Sequence, residues 1–227
     1  MSKTFRLFIS STFNDFREER KVLQTKVFPE IKKYASSLGY AFQPIDLRWG
    51  VSDEAQLDQK TLELCLEEVR ACKTHLYPNF LVMLGDRYGW VPLPYDIEED
   101  EFTSLFSLID AKEKEAIQEW YYLDKNQIPS SYILKERTDV YKDYNTWAQV
   151  ENNLRIILQK AVNNSDIASQ QKEKYFQSAT EAEVEEGILQ FKKTTKFQKD
   201  VLNEENDTQH VFGFFRDIDK STKQEKK

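Results

Sequence analysis

The stretch from Ser178 to Gly187, SATEAEVEEG, holds four carboxylates in ten positions: Glu181, Glu183, Glu185 and Glu186. A carboxyl group fixed at a cleft can act as a catalytic acid. A run of them can equally be the first turn of a helix, where the dipole favours negative charge. Ser178 and Thr180 both fit the capping-box pattern Ser/Thr-x-x-Glu, with Glu181 and Glu183 as their respective partners. Val184, Ile188 and Phe191 mark the apolar stripe of such a helix, which turns Glu186 to solvent and leaves Glu181 and Glu183 flanking the stripe on opposite sides. On this spacing Ser178 starts the helix, Glu181 closes the box, and Glu183 is free to face a cleft. With Thr180 as the cap, the two glutamates exchange roles.

Other groups have types suited to binding. Ser10, Ser11 and Thr12 lead into a helix whose free N–H groups favour an anion such as phosphate; ordinary helix capping accounts for them as well. DLRWG, from Asp46 to Gly50, and GDRYG, from Gly85 to Gly89, each set an acid and a base beside an aromatic ring. Arg48 or Arg87 suits a ligand phosphate, and Trp49, Tyr88 or Trp90 suits a stacked base. The alternative is that Asp46 and Asp86 pair with arginines and brace the loops. A Gly-rich phosphate loop is missing. Two His and two Cys make no zinc motif, so no metal site is expected. Cys65 and Cys72 lie two helical turns apart, too far for a disulfide, and read as small buried hydrophobes.

The elements that must position these groups alternate. TFRLFIS, about residues 4–10, reads as a strand. A helix follows, capped by Asn14 or Thr12, with Phe16, Leu23, Val27, Ile31 and Tyr34 at helical spacing; Pro29 should kink or split it and Gly39 should stop it. YAFQPIDLRW is a second strand, marked as an edge strand by Pro44. DQKTLELCLEEVRAC is a helix, and NFLVMLG has the continuous apolar character of a buried parallel strand. Alternation of this kind predicts an α/β fold with a parallel sheet, whose ligands bind beyond the carboxyl ends of the strands. Ser10–Thr12, Asp46 with Arg48, and Asp86 with Arg87 all fall at such ends, and the helix from Ser178 should begin there too. From about 96 to 174 the pattern becomes polar and helical, an expected insertion with helices in EKEAIQEWYYL and NTWAQVENNLRIILQKAV, a turn in KNQIPSSY and a mobile loop in NNSDIASQQKEK. TEAEVEEGILQF and HVFGFFRDI restore the sheet pattern as a helix and a strand. The expected organisation is therefore a domain of residues 4–95 plus 175–218, an insertion of 96–174, and a disordered tail of 219–227.

The 227 residues are 40% hydrophobic and 31% charged, enough for one substantial core, with a formal charge of −7 that argues against nucleic acid as a partner. FRLFI is too short for a signal-peptide core and no run could span a bilayer, so a soluble cytoplasmic protein without a membrane partner is expected.

FISSTFNDFREERKVL, IDLRWGVS, CLEEVRAC and LGDRYGWVPLP together resemble the N-terminal domain of NACHT and WD-repeat proteins, with related domains in telomerase-associated protein and nephrocystin. The likeness runs on through EWYYLDKNQIPSSYIL and SATEAEVEEGIL to FFRDI, about residues 4 to 218. It implies a TIR-like, flavodoxin-type α/β unit serving as the effector or adaptor piece of a signal-transducing ATPase. Two activities follow from the resemblance: assembly, by self-association or recruitment of protein partners, or hydrolysis of NAD at a helix glutamate. For the second, "AEV" offers Glu183 before an aliphatic residue, with Glu181 as second choice, Arg48 or Arg87 on the pyrophosphate and Ser11 on the ribose side. A nucleotide ligand without turnover lies between the two. No cofactor is required, and NAD is the candidate substrate.

Overall fold

Alternation in Thr4–Ser11 gives a strand, β1, that sends Phe8 and Ser10 to one face and Leu7, Ile9 and Ser11 to the other. In the computed structural model, which describes residues 3–12, 15–47, 57, 59–189 and 210–217, the chain divides into two compact units. The first comprises residues 1–50, 63–90 and 178–227; the second comprises 51–62 and 91–177.

In the first unit β1 is followed by helix α1, Arg17–Val22, a wider π-helical turn over Leu23–Val27, and helix α2, Phe28–Ser37. Pro29 does not split the helix: Arg17 to Ser37 stays helical throughout, and the chain widens into the π-helical turn just before the proline, whose ring nitrogen has no N–H for a regular helical bond. Gly39, at φ +79°, ends the helix in the left-handed conformation that glycine adopts without strain. Strand β2 is Ala41–Ile45, helix α3 is Thr61–Lys73 and strand β3 is Phe80–Leu84.

Strand β2 pairs in parallel with one side of β1, from Thr4 with Ala41 to Phe8 with Ile45. Strand β3 pairs with the other side, from Phe8 with Phe80 to Ser11 with Met83. The last described strand, β7, is Val211–Phe215, and it joins β3 in parallel, from Phe80 with Val211 to Leu84 with Phe215. The sheet order is thus β2-β1-β3-β7, all parallel, with Pro44 on the β2 edge as expected. This is an α/β fold: a parallel sheet flanked by helices, as the alternating pattern requires. One face packs Phe8, Phe80 and Val82 against Cys65, Val69 and Cys72 of α3. The other packs Leu7, Ile9 and Met83 against Phe16 and Phe28. Both cysteines are free and buried, as their spacing suggested.

The second unit holds more than helices. Strands β4 (Asp96–Glu98), β5 (Tyr121–Asp124) and β6 (Ser131–Leu134) form an antiparallel sheet in the order β4-β6-β5. Helices α4 (Glu99–Ser107), α5 (Ala111–Trp120) and α6 (Tyr144–Asn163) accompany it. Three residues expected to extend α5, Tyr121 to Leu123, instead start β5, because aromatic residues favour an extended backbone that can pair. Of the expected turn KNQIPSSY, residues 125–130 form the tip of the β5–β6 hairpin, and Ser131 and Tyr132 already belong to β6. Trp120 and Trp147 meet edge to face at 4.7 Å in a core completed by Leu154, Leu158 and Ala161 of α6. Leu57 belongs here, since its carbonyl accepts from the Arg137 N–H at 2.9 Å. The expected loop NNSDIASQQKEK contains a short helix, α7 (Ser169–Glu173), and the Lys172 ammonium donates to the Ser165 carbonyl at 2.9 Å. The expected tail, 219–227, lies outside the described residues. Among the described residues, no helix is long and apolar enough to cross a membrane.

Candidate functional site

Period-two alternation in β1 decides what each hydroxyl at its carboxyl end can reach. Ser10 shares the face of Phe8, toward α3 and toward helix α8 (Ala179–Val184), which continues as a π-helical turn over Glu185–Leu189. Ser11 shares the face of Leu7 and Ile9, toward α1. The two serines accordingly join two different polar clusters, one on each side of the sheet.

On the α8 side, the Ser10 hydroxyl donates to Glu183 Oε2 at 2.6 Å. The Glu183 side chain also meets the Cys65 thiol. Glu183 is only 8% exposed. Burial pushes its carboxyl up from the usual 4.5 to about 7, against the lowering effects of the Ser10 hydroxyl, the Arg20 charge and the Cys65 thiol. The Asp46 charge adds to the rise. Burial, followed by the charge of Glu183, pushes the Cys65 thiol up strongly as well, which keeps it a donor rather than a nucleophile.

On the α1 side, Arg20 is 1% exposed. Its guanidinium pairs with the Asp46 carboxylate, donates from Nε to the Ser11 hydroxyl at 2.9 Å, and reaches the Ile9 and Ser11 carbonyls at 3.4 and 3.3 Å. Gln24 donates to the other Asp46 oxygen at 3.5 Å. One arginine therefore ties the ends of β1 and β2 together through α1.

Ser178 is the N-cap of α8, and its hydroxyl accepts from the Glu181 N–H at 3.1 Å. The capping box is closed indirectly. Tyr88 stands between its two halves: the Ser178 N–H donates to the Tyr88 hydroxyl at 3.3 Å, and that hydroxyl donates to Glu181 Oε2. Gly89, at φ +104°, lets the chain pass close by. A Cβ there would lie 3.2 Å from Thr12 Cγ2 and 3.4 Å from Thr180 Oγ1. The Ala179 N–H donates to the Trp90 carbonyl at 2.9 Å. Thr12 Oγ1 is buried in this corner without a hydrogen-bond partner.

The carboxyl ends of the strands thus gather Ser10, Ser11, Thr12, Asp46, Glu181 and Glu183, while Asp86 and Arg87 stand exposed in the turn after β3. Arg48, Trp49 and Asn14 lie outside the described residues. α1 begins without a side-chain cap, so Thr12 does not serve as one. Three expectations change in detail. Glu183 turns into the protein, where Ser10 and Cys65 enclose its carboxyl, and is not free at an open rim. Glu186 accepts from Lys73 at 2.5 Å and Arg70 at 3.1 Å, instead of facing solvent. Burial works against it, but these two cations hold its carboxyl below the usual range. Glu181 bonds Tyr88 and not the Ser178 N–H directly. Sequence reasoning passed over Arg20, although it falls four residues after Phe16 on the stripe through Leu23 and Val27, where a charge needs a partner.

The chain matches the model of a family described as a domain of unknown function, DUF4062, over residues 6–226. It is 34% identical over 174 residues to NACHT domain- and WD repeat-containing protein 1 of Mus musculus, covering 75% of this chain and 11% of that one. It is 30% identical over 183 residues to NACHT and WD repeat domain-containing protein 2 of Homo sapiens, covering 70% of this chain and 10% of that one. Telomerase protein component 1 of Rattus norvegicus is 38% identical over 97 residues, 43% of this chain and 4% of the relative. The chain spans about a tenth of the length of the first two relatives, whose N-terminal regions it matches. No solved structure matches it. With one family model covering nearly every residue from Arg6 onward, the chain belongs to the DUF4062 family.

Proposed function

We propose that this chain is a TIR-like effector or adaptor module of a NACHT-type signal-transducing ATPase, working through self-association or recruitment of protein partners in the cytoplasm. The relatives named for NACHT and WD-repeat domains support the setting. The observation that carries the reading is the enclosure of Glu183. Its carboxyl is committed to Ser10 and Cys65 at 8% exposure, and Arg20 and Asp46 bind the neighbouring strand ends to α1. These polar groups satisfy one another, as groups bracing a scaffold do. A domain of this kind offers its surface, not its interior, to partners.

The raised carboxyl of Glu183 favours a second reading, NAD glycohydrolysis. A carboxyl titrating near neutrality, at the ends of parallel strands, has the proton affinity of an acid–base group. In that reaction the ribose C1′–N bond breaks, nicotinamide leaves with the electron pair, and water supplies the hydroxyl while releasing a proton. A carboxylate beside C1′ stabilises the cationic transition state. Glu183 would serve so once the Ser10 contact opened, with Arg87 or Arg48 on the pyrophosphate. Nicotinamide release by concentrated protein and by Glu183→Gln separates the readings. The module reading expects no turnover from either, with unchanged assembly. Turnover by the wild type that vanishes in the variant would establish the enzyme instead.

A further inference from the structure

Strand β7 is built unlike the other strands. In a parallel sheet both faces are normally covered, yet four of the five residues of β7 are exposed. Phe212, Phe214 and Phe215 are 57%, 48% and 74% exposed. Among the described residues β7 also ends the sheet. Natural edges carry charge or proline against pairing. β2 has Pro44 at the opposite edge, whereas β7 has neither proline nor charge. Arg216, just beyond β7, is engaged within its own chain by Asp15 and Glu19 and adds no free charge to the edge.

We infer that β7 is the contact edge of a homodimer, in which two copies pair their β7 strands antiparallel across a two-fold axis at Gly213. This rests on the self-association reading above and gives it a surface. The strand is self-complementary about Gly213. That register sets Phe212 opposite Phe214 of the other copy and Val211 opposite Phe215 of the other copy, so each pair meets on one face of the joined sheet. An aromatic side chain offers roughly 150–250 Å². The exposed parts of the three rings therefore amount to roughly 300–400 Å² per copy, nearly half of the roughly 800 Å² per partner of a standard interface. Backbone and flanking groups add to that. At the axis Gly213 faces Gly213, so no side chain crowds the centre of the face that carries Val211 and Phe215.

The test uses the whole 227-residue chain. Sedimentation of the wild type should give a dimer, and Phe212→Lys with Phe215→Lys should give a monomer of unchanged circular dichroism, since Phe214 keeps its contact with Phe16. As a second variant, Gly213→Cys should cross-link between copies under mild oxidation. Directly opposed residues of antiparallel strands have Cα atoms about 4.5–5.5 Å apart, within disulfide reach. The new Cβ would lie 3.1 Å from the ring of Phe215, which is exposed and can give way. A dimer that survives both lysines, and whose Gly213→Cys variant does not cross-link, would overturn the β7 pairing and leave the self-association reading standing. A wild type monomeric at every attainable concentration, with no cross-link in the cysteine variant, would overturn the pairing and self-association together.

Discussion

Glu183→Gln exchanges an ionisable carboxyl for a neutral amide of the same shape, in a site where charge is poorly solvated. In the folded chain the carboxyl titrates at about 7, and its ordinary value is 4.5. Between these values the folded state holds the proton more tightly than the unfolded state, so wild-type stability falls as pH rises through this window. Below it the contribution is fully present; above it the contribution is gone. The difference between about 7 and 4.5, at about 1.4 kcal/mol per pH unit, is worth on the order of 3 kcal/mol. The glutamine side chain still offers Ser10 an acceptor and carries no proton to lose. Its stability relative to the wild type should therefore rise by that amount from about pH 4.5 to about pH 8. Urea unfolding of both proteins across this range measures the gap directly, and other titrating groups cancel in the difference. A gap that stays constant with pH would show that Glu183 ionises normally and that its enclosure is not what the geometry indicates.

Three further outcomes follow from the same contacts. Arg20→Ala leaves Asp46 buried without its guanidinium and should cost about 3–5 kcal/mol in denaturant unfolding; Arg20→Lys should recover only part, because an ammonium cannot reach Asp46, Ser11 and two carbonyls at once. Gly187→Ala sets a methyl group against the buried Phe80 ring and should cost about 1–3 kcal/mol, read as a lower melting temperature, whereas Gly39→Ala meets no atom and bears only its backbone strain. Ser178→Ala should cost roughly 0.5–2 kcal/mol, and adding Tyr88→Phe to it should cost less than in the wild type, since the two hydroxyls complete one cap.

The sheet was legible because its strands are short apolar runs between helical patterns, and period-two alternation alone places Ser10 and Ser11 on opposite faces. The capping motif at Ser178 was legible too, but only in part. Asp110 and Glu113 close the same motif within their own turn, whereas Ser178 and Glu181 close theirs through Tyr88, ninety residues upstream of the cap. Spacing along a helix cannot disclose a partner supplied by a distant loop, here the one after β3. The same limit explains Glu183. Helical geometry placed it beside the apolar stripe, but whether that flank met solvent or the sheet depended on Ser10 and Cys65, fixed by the packing of β1 and α3. The small sheet of the second unit escaped notice because its strands are three or four residues long, too short to show a period.

The pairing of β3 with β7 has a consequence for biosynthesis. Well over a hundred residues separate Leu84 from Val211, and the whole second unit except its 51–62 piece is encoded between them. At translation rates of about 5–20 residues per second, the ribosome takes on the order of ten seconds to deliver β7 after β3 has emerged. Throughout that interval the nascent chain carries Phe80, Leu81, Val82 and Met83 with one flank unsatisfied, while residues 91–177 acquire everything their own core needs. The core residues of the later-encoded unit are therefore all delivered before β7 is, and the sheet of the first unit, begun earliest, is the last part of the chain that can be completed.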